Sequence, residues 1–288
     1  MKKIFFSLFL FSYLMGQYDQ IFVGTRPLSM GGAFIAVADD ANTISWNPAG
    51  LPGLRRTEFT TTYADLWAMG ITQSYLGFVR PFSDRVALGF DWSNIGYDDK
   101  ELLYSDNKMN LAIGIQLHRK FAFGLTLKYL MRDMQLDGTS YGKSSGIGYD
   151  AGLLIQPLKN LKMGLGLYDL GGTQVAYKDK STEIILGQAF KLGISYMPID
   201  GLTLAADYGD RYHFGAEYIY ASRISFRAGI QQDIDGNEKI MVPSAGLSIK
   251  FKSIVVEYGY ESHPYLNPNH RISLALQLSP AVVSITST

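Results

Sequence analysis

The chain has 288 residues, and its 26 basic and 26 acidic residues leave a formal net charge of zero. A nucleic-acid-binding protein would carry a basic excess, so nucleic acid is not an expected partner. The absence of cysteine excludes disulfides and thiolate metal ligands. The 30 glycines and 19 tyrosines are typical of a membrane β-barrel, in which glycine faces a crowded lumen and tyrosine lies at the lipid interface.

Residues 1–16 have the pattern of a secretory signal peptide. Lys2 and Lys3 form a basic start, residues 4–15 form an apolar core, and Gly16 is a small residue before the expected cleavage site. The core is too short for a membrane-spanning helix, and no later stretch reaches about 18 apolar residues. A membrane location therefore requires strands that form a barrel.

Residues 24–51 follow the leader with a pattern typical of neither a strand nor a good helix. Gly31 and Gly32 interrupt this segment early, and a turn over residues 47–50 closes it. Small and apolar residues dominate between these points, but they have no period that would bury them in a sheet or a bundle. We expect the segment to pack inside a larger structure, with an ordinary surface loop as the alternative.

From residue 57 onward, apolar residues alternate with small or polar ones. In residues 121–132, for example, Phe123, Leu125 and Leu127 share one face, and Thr126 and Lys128 share the other. A period of two predicts half-buried strands, here 14 of them, an even number that suits a closed barrel. The predicted strands are 57–67, 70–81, 84–97, 106–118, 120–133, 145–157, 160–169, 184–197, 201–209, 211–220, 222–233, 240–250, 252–261 and 269–278.

The predicted connections alternate between short and long. The longer ones are residues 98–105, 134–144, 170–183, 234–239 and 262–268. Outer-membrane barrels have short periplasmic turns and longer external loops, so residues 17–56 are expected at the periplasmic side. A water-soluble β-sandwich is the alternative, but the apolar faces repeat in nearly every strand without a second layer to cover them.

The segment before the first strand also carries a family resemblance. Its motifs are Gly24–Thr25–Arg26, Met30–Gly31–Gly32–Ala33, Ala38–Asp39–Asp40–Ala41 and Trp46–Asn47–Pro48–Ala49–Gly50–Leu51. Together they resemble the N-terminal signature of FadL-like outer-membrane proteins, most closely the PorV/PorQ branch. The resemblance covers about a tenth of the chain. It implies a 14-stranded all-β barrel with an N-terminal plug, or hatch, over residues 17–56. The strand pattern places the barrel at residues 57–278 and leaves residues 279–288 as a C-terminal tail, a departure from outer-membrane barrels, which commonly end on an aromatic residue.

Searches for catalytic or cofactor chemistry gave weak matches. Residues 142–146 fit G-x-S-x-G, but a strand follows in place of the helix that a nucleophile elbow needs, so we expect a loop there. Residues 233–238 are acidic, yet their glycine comes too early for an EF-hand loop. The four histidines are scattered. No nucleophile is paired with a base, so no enzyme activity, metal or cofactor is expected.

Charged residues at inward strand positions are candidate lumen residues: Arg85, Lys128, Glu217, Arg223, Arg227, Glu257 and Arg271. Unpaired carboxylates are costly to bury, so we expect at least one of Asp39 and Asp40 to meet a basic lumen residue, with Arg85, Arg223, Arg227 and Arg271 as candidates. The alternative is that both acids face periplasmic water.

Two functions are consistent with the resemblance in a diderm outer membrane. FadL-like proteins imply transport or binding of hydrophobic molecules across the outer membrane. PorV-like proteins imply a non-enzymatic subunit of type IX protein secretion. The expected partners are therefore outer-membrane lipid together with either hydrophobic small molecules or secretion-system proteins.

Overall fold

The computed structural model describes residues 23–99, 102–177, 182–234 and 240–278. The predicted signal peptide, the first residues of the predicted plug and the predicted C-terminal tail lie outside these ranges, as do residues 235–239 of the acidic turn. Within the described ranges, no helix is long and apolar enough to cross a membrane.

Three short helices precede the strands, and we label the two α-helices α1 (Thr25–Ser29) and α2 (Thr43–Trp46). A 3₁₀ helix follows at Pro48–Gly53. The first eight strands are β1 Thr57–Leu66, β2 Ile71–Pro81, β3 Val86–Asp98, β4 Leu102–His118, β5 Phe121–Leu136, β6 Thr139–Leu158, β7 Leu161–Tyr168 and β8 Thr173–Tyr177. The remaining strands are β9 Thr182–Leu186, β10 Ala189–Ile199, β11 Leu202–Tyr208, β12 Arg211–Tyr220, β13 Ile224–Asp233, β14 Met241–Phe251, β15 Ile254–Glu261 and β16 Asn269–Leu278.

These strands form one antiparallel sheet that closes on itself. Neighbouring strands pair in sequence, β7 pairs with β10, and β1 pairs with β16 with Thr57 opposite Leu278. The short strands β8 and β9 form a hairpin that pairs with the outer part of β6. Fourteen strands therefore make the closed wall, and the predicted 14-stranded antiparallel barrel is confirmed.

Two features of the predicted strand list are wrong. The predicted strand 184–197 is two strands, β9 and β10, with a break between them. Residues 98–105 and 134–144, predicted as long loops, are mostly strand, so the expected loop at 142–146 lies within β6. The predicted loop 170–183 likewise contains β8 and the start of β9. For residues 134–144 the reason is a tight turn at Asp137 and Gly138, where φ is 50° and 72°. Two positive φ values in succession suit the hairpin turn that Asp-Gly favours, and the strands continue up to it.

The two faces of the wall differ as the alternation predicts. Leu125 and Leu274 are 45% and 49% exposed on the outer face, whereas Thr126, Lys128 and Ser273 are at most 2% exposed on the inner face. The outer face is rich in exposed leucine, isoleucine, phenylalanine and tyrosine. An apolar outer band and a polar interior are the arrangement that a lipid bilayer requires of a barrel.

Residues 23–56, which we call the N-terminal segment, lie inside the barrel. Helix α1 packs against β13–β16, helix α2 against β3 and β4, and the 3₁₀ helix against β2–β6. Phe34, Ile35 and Trp46 have no exposed surface. The apolar residues that lacked a helix or strand period are buried because the strands surround them, and they form a core with Tyr168 and Ala205 of the wall.

Candidate functional site: the N-terminal segment in the lumen

The turn that ends the N-terminal segment lies on a row of glycines. Gly114, Gly124 and Gly152 are directly paired across β4, β5 and β6. A side chain at any of them would clash with Asn47, Pro48 or Ala49 of the turn. Glycine is needed here because it allows two backbones to approach closely. This glycine row therefore fits the wall to the Asn47–Pro48–Ala49 turn.

Asn47 joins the turn to both the wall and an earlier part of the segment. Its Nδ2 donates to the carbonyl of Ile35 at 2.8 Å and to the carbonyl of Leu153 on β6 at 3.2 Å. Its Oδ1 accepts from the backbone N–H of Ala49 at 3.1 Å. Pro48 forces the residue before it into extended backbone, and Asn47 has φ of −155°. That backbone places the amide where all three hydrogen bonds form.

On the opposite side of the lumen, polar groups of the wall bind the backbone of the segment. Asp207 on β11 accepts hydrogen bonds from the backbone N–H groups of Phe34 and Ile35, at 2.7 and 2.9 Å. His213 on β12 lies with its Nδ1 2.7 Å from the carbonyl of Gly31. The space beside Gly32 is filled by the His213 ring. These contacts satisfy backbone groups that are buried in an irregular stretch.

Arg26 is the centre of a chain of ion pairs whose members are largely buried, except for the exposed Asp39. Its Nε and Nη2 donate to the two carboxylate oxygens of Glu217 on β12, at 2.9 and 2.6 Å. Its Nη1 donates to Asp39 at 2.5 Å and to Asp40 at 2.9 Å. Burial alone would lower the pKa of Arg26, but the charges of Asp39, Glu217 and Asp40 outweigh burial and raise that pKa well above its usual value.

The chain of ion pairs continues along the wall. Glu217 also accepts from Nε of Arg227 on β13 at 2.6 Å, and Nη2 of Arg227 lies 3.1 Å from Glu257 on β15. We call these residues, together with Arg26, Asp39 and Asp40, the ion-pair chain. The expectation that at least one of the two acids meets a barrel arginine is wrong, because Arg26 of the same segment binds both. Its fork-shaped guanidinium reaches three carboxylates at once.

Of the other predicted lumen charges, two are buried in the interior of the barrel and two lie in exposed turns. Lys128 is 2% exposed, and its Nζ lies 2.7 Å from Asp150 and 2.5 Å from Asp169. Arg271 is 4% exposed, with Nη1 3.7 Å from a carboxylate of Glu261. Arg85 and Arg223 are different: they are exposed in the turns before β3 and β13, so the prediction of luminal positions for these two residues is wrong.

Two polar cavities open beside the segment at the end of the barrel where the chain enters β1. The smaller, about 370 Å³, is lined by the ion-pair chain and by Arg56, Glu58 and Arg223. The larger, about 660 Å³, lies between the 3₁₀ helix and the turns that follow β2 and β4.

Two apolar hollows, of about 610 and 560 Å³, lie on the outer wall around Phe214. Among the described residues, no group of three His, Asp or Glu could hold a metal ion.

A closed wall of 14 strands with an apolar outer band defines this chain as an outer-membrane β-barrel protein of a diderm bacterium. Comparison with protein-family models gave no match, and comparison with curated proteins gave none either. Solved structures do match over nearly the whole chain. With the CymD monoaromatic hydrocarbon channel the TM-score is 0.70 at 16% identity, over 91% of this chain and 99% of that one.

Two further solved structures share the fold. The toluene transporter TbuX of Ralstonia pickettii gives a TM-score of 0.64 at 13% identity, over 89% of this chain and 98% of its own. A FadL homologue of Pseudomonas aeruginosa gives 0.61 at 11% identity, over 92% and 100%. At these identities, the likeness shows that the chain has the fold of FadL-type channels.

Proposed function

We propose that this protein carries hydrophobic small molecules across the outer membrane, and that the N-terminal segment acts as a plug that shifts to let them pass. The observation that supports the proposal is that the segment lies across the lumen of a barrel with the fold of hydrocarbon channels. A barrel of this size would otherwise leave an interior wider than its own side chains fill.

The way in which the segment is held fits a part that moves. Its polar attachments to the wall involve side chains and not a shared strand ladder; among them are the ion-pair chain, the two hydrogen bonds to Asp207 and the bonds of Asn47. The strands keep their own backbone hydrogen bonds whether or not the segment is in place. Segment movement therefore need not unfold the barrel, and it would expose apolar residues of the segment that are now buried to a hydrophobic molecule in the lumen.

The alternative, a PorV-like subunit of type IX secretion, has no support from these comparisons. Two of the structural neighbours are described as a channel and a transporter, and we extend that description to the present chain. We likewise propose a non-enzymatic role, because transport of this kind needs no bond to be made or broken.

A reversible cross-link tests whether transport needs the segment to move. The hydroxyls of Thr25 on α1 and Ser273 on β16 are 2.5 Å apart, and the chain has no native cysteine. A Thr25→Cys, Ser273→Cys variant would join the segment to the wall on oxidation. The readout is uptake of radiolabelled toluene by a diderm host that lacks such a channel. We expect oxidation to abolish the uptake above background and reductant to restore it.

The same serine provides the matched control. Thr62 on β1 also lies opposite Ser273, with the two hydroxyls 2.6 Å apart. A Thr62→Cys, Ser273→Cys variant would cross-link two wall strands and leave the segment free, so its uptake should not depend on redox state. Undiminished uptake by the oxidised Thr25–Ser273 variant would show that the segment does not gate the route. Uptake no higher than in the host without the protein would reject transport of this substrate class.

A further inference from the structure

The larger cavity beside the segment, which we call the mouth cavity, is built jointly by the segment and the wall. The segment supplies Asp39, Ala49 and Gly50, and the wall supplies the turns after β2 and β4 together with Lys162 on β7. About 660 Å³ is enclosed between them. The cavity has this shape only while the N-terminal segment occupies the lumen.

Positive charge dominates the lining of the mouth cavity. Five of its residues are lysine or arginine: Arg55, Arg85, Arg119, Lys120 and Lys162. Its only acidic members among the described residues are Asp39 and Asp84. Asp39 is already bound by Arg26, and the side chain of Asp84 is fully exposed, 3.4 Å from Arg55. An exposed pair of that kind is strongly screened by water, so the cavity keeps a positive excess.

The cations of the mouth cavity have few anionic partners of their own. In the described part of the chain, neither Arg85 nor Arg119 forms a side-chain ion pair. Lys120 and Lys162 donate to backbone carbonyls, of Pro157 at 2.9 Å and of Val37 at 3.3 Å. Carbonyl oxygens leave an ammonium charge uncompensated. Convergent cations in a concave pocket are the arrangement that binds oxyanions, and arginine does so through two parallel hydrogen bonds.

From this geometry we propose that the mouth cavity is a binding site for a phosphate or other oxyanion group, assembled only when the N-terminal segment is in place. Arg85 and Arg119 supply the strongest contacts, and Lys120 and Lys162 complete the positive lining. Lys162 also holds the segment through the carbonyl of Val37. A ligand that binds only this arrangement stabilises it by mass action, so the anion holds the segment in the lumen.

Calorimetric titration of the purified, detergent-solubilised protein with inorganic pyrophosphate tests the site without any transport measurement. We expect saturable binding that an Arg85→Gln, Arg119→Gln variant weakens at least about tenfold, because it loses charge-assisted hydrogen bonds. An Arg85→Lys, Arg119→Lys variant should recover part of the affinity. The control is Arg223→Gln with Lys252→Gln, which removes two exposed cations at the same end of the barrel but outside this cavity.

A second readout is the rate at which proteinase K cuts the N-terminal segment. Pyrophosphate should slow this cleavage in the wild type but not in the Arg85→Gln, Arg119→Gln variant. Vesicles containing phosphatidylglycerol identify the source of the anion. Competition with pyrophosphate would indicate a lipid headgroup, and absence of competition would indicate a soluble anion. The proposal is overturned if pyrophosphate does not bind, or if the control variant loses as much affinity as the cavity variant.

Discussion

Arg26 and Glu217, 191 positions apart in the chain, meet through two hydrogen bonds of 2.9 and 2.6 Å that use both oxygens of one carboxylate. The side chain of Glu217 is 1% exposed and that of Arg26 is 12% exposed. This pair joins the N-terminal segment to the wall of the barrel. Because both groups are largely out of water, removing either one leaves the other charge poorly compensated.

The first prediction concerns Arg26. An Arg26→Gln substitution should favour opening of the segment by about 3 kcal/mol, because it leaves three carboxylates close together with one cation fewer. The barrel itself should stay folded. The measurement is the rate of proteinase K cleavage within residues 23–56, with the heat-induced gel shift as the check on the barrel. Asp39→Asn with Asp40→Asn keeps the Arg26–Glu217 bonds, so it should loosen the segment less. Equal cleavage of the two variants would contradict this order.

The second prediction concerns the glycine row. In Gly124→Ala, the added methyl group would meet the backbone of Pro48, which cannot move without disturbing the bonds of Asn47. We expect faster cleavage of the segment and an unchanged barrel. Gly53→Ala is the matched control, since nothing lies within 4 Å of a Cβ at that position. If proteinase K cuts the segment no faster in Gly124→Ala than in Gly53→Ala, the close fit between the turn and the glycine row is not required.

The third prediction concerns the lipid-facing wall. Leu125→Arg should cost about 2–4 kcal/mol of unfolding free energy, because it places a charge on the outer face at mid-membrane depth. Ile254 is also exposed on the outer face but is the first residue of β15, so Ile254→Arg should cost about 1 kcal/mol or less. Reversible unfolding in guanidinium from lipid vesicles gives both values. Equal costs would argue against the assigned position of the membrane.

The fourth prediction concerns Asp210, in the turn between β11 and β12. Burial alone would raise its pKa, but a hydrogen bond from His213 and the charge of Lys191, 2.7 Å away, outweigh burial and hold the pKa below its usual 3.8. A carboxyl group with a lowered pKa stabilises the fold above its unfolded pKa and loses that contribution as pH falls below it. The stability advantage of wild type over Asp210→Asn should therefore be constant near pH 7 and shrink below about pH 4.

Unfolding curves of both proteins at pH 7 and pH 3 measure this difference. His213 also contacts Asp210, so both proteins carry a His213→Gln substitution, which removes protonation of that imidazole from the comparison and isolates the pairing of Asp210 with Lys191. An advantage that grows on acidification would contradict the proposed pairing.

The fifth prediction concerns conductance. The intact protein in planar bilayers should show no wide, open channels, because the segment lies across the lumen. A chain lacking residues 23–53 should conduct ions, since the wall closes without them. Large steady channels from the intact protein would contradict the closed lumen.

The sequence predicted the wall better than the interior. The alternation at Leu125, Thr126 and Lys128 was enough to assign faces, because a strand has a period of two. The interruption between β9 and β10 was missed because the apolar pattern continues across it. The long β5–β6 hairpin was missed although Asp137–Gly138 is a strong turn signal.

Inside the lumen, contacts depend on which strands lie opposite one another, and one sequence does not show that. The pairing of Arg26 with Glu217 needed the closed barrel. One signal was available: glycine recurs at inward positions of β4, β5 and β6, at Gly114, Gly124 and Gly152. Glycine on the inner face of successive strands indicates that another backbone lies against them.

The position of the segment also constrains the order of folding. The wall closes where β1 pairs with β16, and α1 reaches Ser273 on β16, 248 residues away. Contacts at such sequence separation form slowly, because the long loop must close before they contribute. The segment is attached directly to β1 and touches strands on both sides of the seam. It must therefore be enclosed as the first and last strands meet, which makes the packed lumen a product of barrel closure.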